Sequence, residues 1–309
     1  MTARRPVAQG ASRRSKAPIP ERNNAMKASM IMTLDPVTVE PGMTLDAAMD
    51  VFDEHLFRHL PVAHDGKLVG MLSDRDVRLA TGWLPVELRR ENEDEQVAPM
   101  YVREVMHAPC VFVTPDTPCS EVVAQMLELK IGAVPVAEDG EIVGMVTATN
   151  MIEAFCDLVR SDGTAEFDPK LEGYMARKVI TLSRDEFLED AIDKCHDEHI
   201  RHLPVVDGGE VIGMVSDRDI RLAMGREIIS AHRAQEAGNM AVHRTPVDVF
   251  MSRWVSTINQ DETLSAAGEA MIENRFSALP VSHAGQLAGI ITQTDILEHF
   301  ATVPALAEA

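Results

Sequence analysis

Cysteine is scarce. The chain holds four, Cys110, Cys119, Cys156 and Cys195, none in C-x-x-C spacing, which excludes a zinc knuckle and a disulfide framework and leaves reduced, mostly buried thiols. No apolar run approaches the ~20 residues that cross a bilayer, and no apolar signal-peptide core follows the N-terminal charges. A cytoplasmic protein without a membrane partner is expected. Basic residues are also few: 29 Lys and Arg stand against 49 Asp and Glu, and a net charge of −20 repels nucleic acid unless cations gather on one face. Missing as well are G-x-x-x-x-G-K, G-x-S-x-G, H-E-x-x-H and G-x-G-x-x-G, so no residue is nominated as catalytic and a non-enzymatic role is expected.

What is present has the balance of a soluble globular protein, 309 residues with 45% hydrophobic and 25% charged, long enough for two ordinary domains. Some of the positive charge lies at one end. In the first 22 residues Arg4, Arg5, Arg13, Arg14, Lys16 and Arg22 face only Glu21, a surplus of +5. Three prolines and no apolar periodicity make residues 1–24 a disordered basic tail. The 18 methionines fall largely at helix core positions, as Met49, Met126 and Met271 do, and read as packing.

Four prolines organise the rest. Pro61, Pro135, Pro204 and Pro280 are each followed by valine, and a glycine stands five residues later (Gly66, Gly140, Gly209, Gly285) and nine later (Gly70, Gly144, Gly213, Gly289). Twelve residues after each proline comes a hydroxyl (Ser73, Thr147, Ser216, Thr292) and fifteen after comes Asp76, Asn150, Asp219 or Asp295. The first glycine sits in a turn such as Asp65-Gly66, where a type I′ hairpin needs positive φ. "PVTVEPG" predicts a short strand, and Thr44 caps a helix with Leu45, Ala48, Met49, Phe52 and Leu56 on one face. Ser73 opens a second helix. One βαββα unit, repeated four times, is too small to bury both faces of its sheet, so the units pack in pairs. Units one and three share "RHLPV" and "SDRD" and units two and four lack both, so two kinds of unit alternate along the sequence.

Each Ser/Thr-x-x-Asp fits a capping box that satisfies free N–H groups at a helix start, and this alone accounts for the motif. The same geometry suits a ligand: a carboxylate can accept from both ribose hydroxyls, and a hydroxyl with helix N-terminal N–H groups can receive phosphate. Arg75 and Arg218 offer planar forks beside the acids. "CHDEHIRH" sets Cys195 and His199, and His196 and His199, at one-face spacing, but Cys195 holds the core position of Phe52, Met126 and Met271, and no metal site is assigned.

These offsets resemble the cystathionine-β-synthase (CBS) domain family, with four CBS repeats in two tandem pairs, or Bateman modules, over roughly residues 25–300. The resemblance implies an α+β fold whose two modules form a pseudo-symmetric disc. Its organisation would be module 1 at 25–160 (repeats about 30–80 and 101–156), a linker at 161–172, and module 2 at 173–309 (repeats about 174–225 and 246–300). It also implies an adenosyl ligand, AMP, ADP, ATP or S-adenosylmethionine, held between paired repeats, with no catalytic cofactor. By carry-over Asp76, Asp219 and Asp295 meet ribose, with Asn150 a weaker counterpart; Ser73, Thr147, Ser216, Thr292 and Thr294 meet ribose or phosphate. Arg58, His59, Arg201 and His202 resemble the basic pairs that meet phosphate in regulatory members, with Arg75 and Arg218 beside them. A histidine there makes affinity fall as pH rises through the imidazole range. The expected protein is a regulatory sensor that signals to a protein partner or self-associates into a homodimer; the alternative is an interaction scaffold whose motifs only cap helices.

Overall fold

The computed structural model describes residues 26–55, 57–80, 100–162, 167–220, 222–224 and 245–303. The basic tail at 1–24, Leu56, and the charged segments Leu88–Gln96 and Arg226–Met240 lie outside them. The first repeat opens on α1 (Ala28–Ile31) and β1 (Thr33–Leu34), then α2 (Leu45–His55), the hairpin β2 (His59–His64) and β3 (Lys67–Ser73), and α3 (Asp74–Ala80). The second repeat supplies α4 (Val102–Val105), α5 (Cys119–Leu129), β4 (Ala133–Glu138), β5 (Glu141–Thr147) and α6 (Ala148–Asp162). A 3-10 turn at Leu171–Gly173 leads into β6 (Leu182–Ser183), α7 (Leu188–Asp197), β7 (His202–Asp207), β8 (Glu210–Ser216) and helical residues 217–220 and 222–224. The fourth repeat comprises α8 (Val247–Phe250), β9 (Ile258–Asn259), α9 (Leu264–Asn274), β10 (Ala278–His283), β11 (Gln286–Thr292) and α10 (Gln293–Phe300).

Local signals explain each unit. The Thr44 hydroxyl accepts from Ala47 N at 3.3 Å, and Leu45, Ala48, Met49 and Phe52 turn one face of α2 inward. Asp65 and Gly66 adopt φ of 49° and 80°, and the hairpin they close pairs Leu60 with Leu72 and Val62 with Gly70. The strand expected in "PVTVEPG" contracts to a single parallel bridge, Val39 to Val62. Pro36 and Pro41 flank it and have no N–H to extend the ladder. In the third and fourth repeats the equivalent strands, β6 and β9, reach two residues each.

The leading segment of each repeat leaves its own unit and packs on the sister repeat. Ala28 N donates to Thr117 O and Cys119 N to Met26 O, at 2.9 and 2.7 Å, and β1 runs antiparallel to β5 with Thr33 opposite Met145. In return, Leu45 N donates to Met100 O at 2.9 Å, and Met71 and His107 exchange both backbone hydrogen bonds at 3.0 and 2.8 Å. The second module repeats the exchange: Ala176 pairs with Ile290 and Ser252 with Met214. This explains the second glycine of the ladder. A Cβ on Gly144, Gly70, Gly289 or Gly213 would meet the sulfur of Met32, Met106, Met175 or Met251 at 2.5, 3.0, 2.7 and 2.5 Å. Four methionines of the leading segments thus occupy the space that four glycines leave open.

The modules join through their second repeats. One core runs from Val122, Met126 and Phe155 across to Leu264, Met271, Ile296 and Phe300, so α6 is packed against α9 and α10. The first and third repeats keep separate cores, around Phe52, Leu60 and Leu72 and around Leu203, Val205 and Val215. Gly268 permits the approach of α9 to α6, because a Cβ there would lie 2.9 Å from both Cys156 Sγ and Ile152 Cγ2. Gly268→Val should therefore lower stability by about 1–3 kcal/mol through overpacking. Urea unfolding of the variant measures this, and an unchanged midpoint would mean the helices part without cost.

Candidate functional site

The Ser/Thr-x-x-Asp/Asn motifs lie at the last strand residue and the first helical turn of each repeat. In the third repeat Asp219 Oδ2 accepts from Ser216 N at 2.8 Å and from Ser216 Oγ at 2.5 Å, while Asp219 N donates back to Ser216 Oγ at 3.3 Å. Thr292 and Asp295 repeat the first two bonds at 2.6 and 2.7 Å. Ser73 and Asp76 form the whole set, with the Ser73 N to Asp76 Oδ2 bond at 3.2 Å and the Ser73 Oγ to Asp76 Oδ2 bond shorter. Asn150 Oδ1 does the same for Thr147, at 2.9 Å from N and 2.7 Å from Oγ1. The reciprocal box is therefore complete in the first three repeats, its carboxylate half stands in the fourth, and replacing the carboxylate by an amide costs it nothing in geometry. Oδ1 of Asp76, Asp219 and Asp295 takes no hydrogen bond from the described residues. Thr294 is exposed on the first turn of α10.

The cross-paired leading segments line the other side of these motifs. His107 pairs with Met71 two residues before Ser73, and the same register brings Thr33, Ser252 and Ala176 beside the Thr147, Ser216 and Thr292 motifs. At the first motif the side chains meet: His107 Nε2 lies 3.3 Å from Asp76 Oδ2.

The basic residues of the two "RHLPV" stretches converge from separate modules. Arg58 O accepts from Asp74 N at 3.0 Å, and Arg201 O accepts from Asp217 N at 2.9 Å, so each basic pair is strung beside its own motif. Although the Arg58 side chain reaches solvent, crowding by surrounding protein pushes its guanidinium below the ordinary value. Asp74 resists this shift, while Arg218 and Arg201 add to it. Cations of the first and third repeats thus share one electrostatic neighbourhood. Burial holds His59 below the usual imidazole range, with Asp74 and Asp76 opposing and Arg58 and Arg201 assisting. His202 is pushed down to about 4 by burial, Arg58 and Arg201 against Asp217, so it is neutral through pH 6 to 8 in the free protein. Each histidine leans on its sister repeat: His202 Nε2 lies 2.9 Å from Ser277 Oγ, and a Cβ on Gly132, the equivalent position, would touch His59 Cε1 at 3.4 Å. Arg75 is exposed on α3 and is not among the charges shifting these groups.

Several of these partners have no local signature. Asp74 and Asp217 are legible only as flanks of the motif, Ser277 only by aligning the repeats, and His107 not at all, because the segment carrying it belongs to another repeat. Cys195 packs on the third repeat's core, where burial pushes its thiol up to about 11. His199 ends α7 in the left-handed region at φ 55°, as Lys130 and Arg275 end α5 and α9 at 55° and 58°. No described helix is long and apolar enough to cross a membrane.

The CBS domain model matches residues 28–81, 102–157, 171–226 and 246–302, and the chain belongs to the CBS domain family. Its four repeats form two pairs of the Bateman type, in a mixed helix and strand fold. Among relatives, MJ1225 of Methanocaldococcus jannaschii is 27% identical over 274 residues, 86% of this chain and 95% of that protein. The crystal structure of MJ1225, put forward there as an archaeal homolog of g-AMPK, aligns with TM-score 0.70 and 25% identity, covering 89% of the present sequence and all of MJ1225. A 33.4 kDa protein encoded in a ribosomal RNA operon of Thermofilum pendens is 30% identical over 250 residues, 78% of this chain and 79% of its own. A conserved protein of Pyrococcus horikoshii shares the fold at TM-score 0.61 and 22% identity, covering 89% of this chain.

Proposed function

We propose that the protein is a non-catalytic sensor that binds an adenine nucleotide, AMP, ADP or ATP, between paired repeats and signals by a change in the angle between modules. The observation that carries this is the convergence of Arg58, Arg201 and Arg218 on one neighbourhood in a protein of net charge −20, beside acids whose second oxygen takes no hydrogen bond from the described residues. Guanidinium groups take phosphate oxygens, and the open carboxylate oxygen accepts from a ribose diol. With His202 neutral, the arginines carry the charge recognition. The Asp76 and Asp219 sites own these cations, Asp295 has Thr292 and Thr294 without them, and Asn150 offers an uncharged acceptor. S-adenosylmethionine shares the adenosine part and is the second candidate ligand. The relation to MJ1225 supports a nucleotide-sensing role.

The route to an output is structural. Helices α6 and α10 begin at the second and fourth motifs and pack on each other at the joint between modules. A ligand that grips one arrangement of these helix starts more tightly shifts the joint, and with it the surface met by a regulated protein or a second copy. The scaffold reading rests on the four caps, which need no ligand.

Asp219→Asn separates the two readings. Asn150 shows that an amide keeps the cap, so the variant should melt with the parent while losing a charged acceptor for ribose, a loss of roughly 10- to 100-fold in affinity. Isothermal calorimetry on metal-free protein measures this. Binding of neither AMP, ATP nor S-adenosylmethionine to the parent would leave the scaffold.

A further inference from the structure

The segments Ser73–Ala80 and Ser216–Ala223 differ only at Val77 and Ile220, and both build the same cap. What faces them differs. The leading segment of the second repeat sets His107 against the first motif, and that of the fourth sets Ser252 near the second, at the same cross-strand position. His107 is anchored there: its N donates to Met71 O at 2.8 Å and its O accepts from Met71 N at 3.0 Å. From that fixed backbone Nε2 reaches to 3.3 Å from Asp76 Oδ2, with the imidazole 71% exposed and the carboxylate 21%. Ser73 N, Ser73 Oγ and His107 Nε2 therefore crowd one oxygen, whereas Asp219 Oδ2 serves only Ser216 among the described residues.

We infer that His107 is a specificity-determining residue that makes the Asp76 site the weaker of the two "SDRD" sites for a ligand carrying a vicinal diol. This rests on the nucleotide-binding reading above. A diol that spans both carboxylate oxygens must move the imidazole away from Asp76 Oδ2, while at Asp219 no imidazole of the described residues stands in its way. The contact given up is that of one exposed imidazole beside a carboxylate, so the handicap is modest, about 3- to 10-fold in affinity. Sequence cannot show it, because the two octapeptides are nearly identical and the difference comes from a strand donated by another repeat.

The experiment uses the full-length protein with Asp219→Asn and Asp295→Asn, which leaves Asp76 as the one carboxylate site, and follows AMP and 2′-deoxy-AMP by calorimetry. Adding His107→Ser should tighten AMP about 3- to 10-fold and leave 2′-deoxy-AMP, which lacks the diol, unchanged. The reciprocal Ser252→His, in a protein with Asp76→Asn and Asp295→Asn, should weaken AMP by a similar factor. AMP affinity unmoved by His107→Ser, or weakened by it, overturns the inference while leaving nucleotide binding standing. An equal gain for both nucleotides also overturns it, since the diol would then be irrelevant. Failure of the parent protein to bind AMP at all removes the nucleotide reading and this inference together.

Discussion

Acidification from pH 6.5 to pH 4 should cost the fold about 3 kcal/mol at His202 alone. The imidazole is pushed from its ordinary 6.5 down to about 4 by burial and by Arg58 and Arg201. At about 1.4 kcal/mol per pH unit of displacement, that depression gives the figure. The unfolded protein takes up the proton near 6.5 while the folded protein resists until about 4, so between those values the unfolded state binds more protons. The contribution is complete above pH 6.5 and lost as pH falls toward 4. His59 is shifted in the same direction, so it adds to the slope. Carboxylates titrate in the same window, and the contribution of His202 is isolated by comparison with His202→Gln, which keeps a polar partner for Ser277. Denaturant melts at pH 7 and 4.5 should show the parent losing more stability than the variant; equal losses would mean the imidazole is not held neutral.

Phe155→Ala should destabilise by about 3–5 kcal/mol, the range for a large aromatic removed from a core. Phe155 is fully buried in α6, with its ring centroid 5.5 Å from Phe300 and 5.7 Å from His299. His299 is itself pinned, Nε2 lying 3.0 Å from Phe167 O on the segment between modules, and its ring stands edge-on to Tyr174. The lost ring therefore loosens α6, α10 and the inter-module segment at once. Chemical denaturation gives the magnitude; a loss under about 1 kcal/mol would mean that neighbouring side chains refill the space and that the joint does not depend on this ring.

The repeat ladder was legible because a turn and a cap are local events. Asp65-Gly66 needs positive φ, Ser73-x-x-Asp76 needs a helix start, and each writes its requirement into adjacent residues. The second glycine of the ladder was equally visible, yet its reason was not: Gly70 yields space to Met106, and nothing near Gly70 in the sequence says so. The same holds for the site. Asp76 and Arg58 could be nominated from their own segments, whereas the nearness of Arg58 to Arg201 and Arg218, and of Asp76 to His107, depends on how repeats are set against one another. The strand expected in "PVTVEPG" contracted because its flanking prolines offer no donors, a point available in the sequence but outweighed by its valines.

The exchange of leading segments imposes an arithmetic on the protein. A repeat released alone would present an empty slot over Gly70 or Gly213 and an unmatched edge at Met71 or Met214, while its own first residues would dangle without a host. Two repeats answer each other's deficits completely. The smallest unit that closes its own edges is therefore the interlocked pair rather than the motif that recurs four times along the sequence.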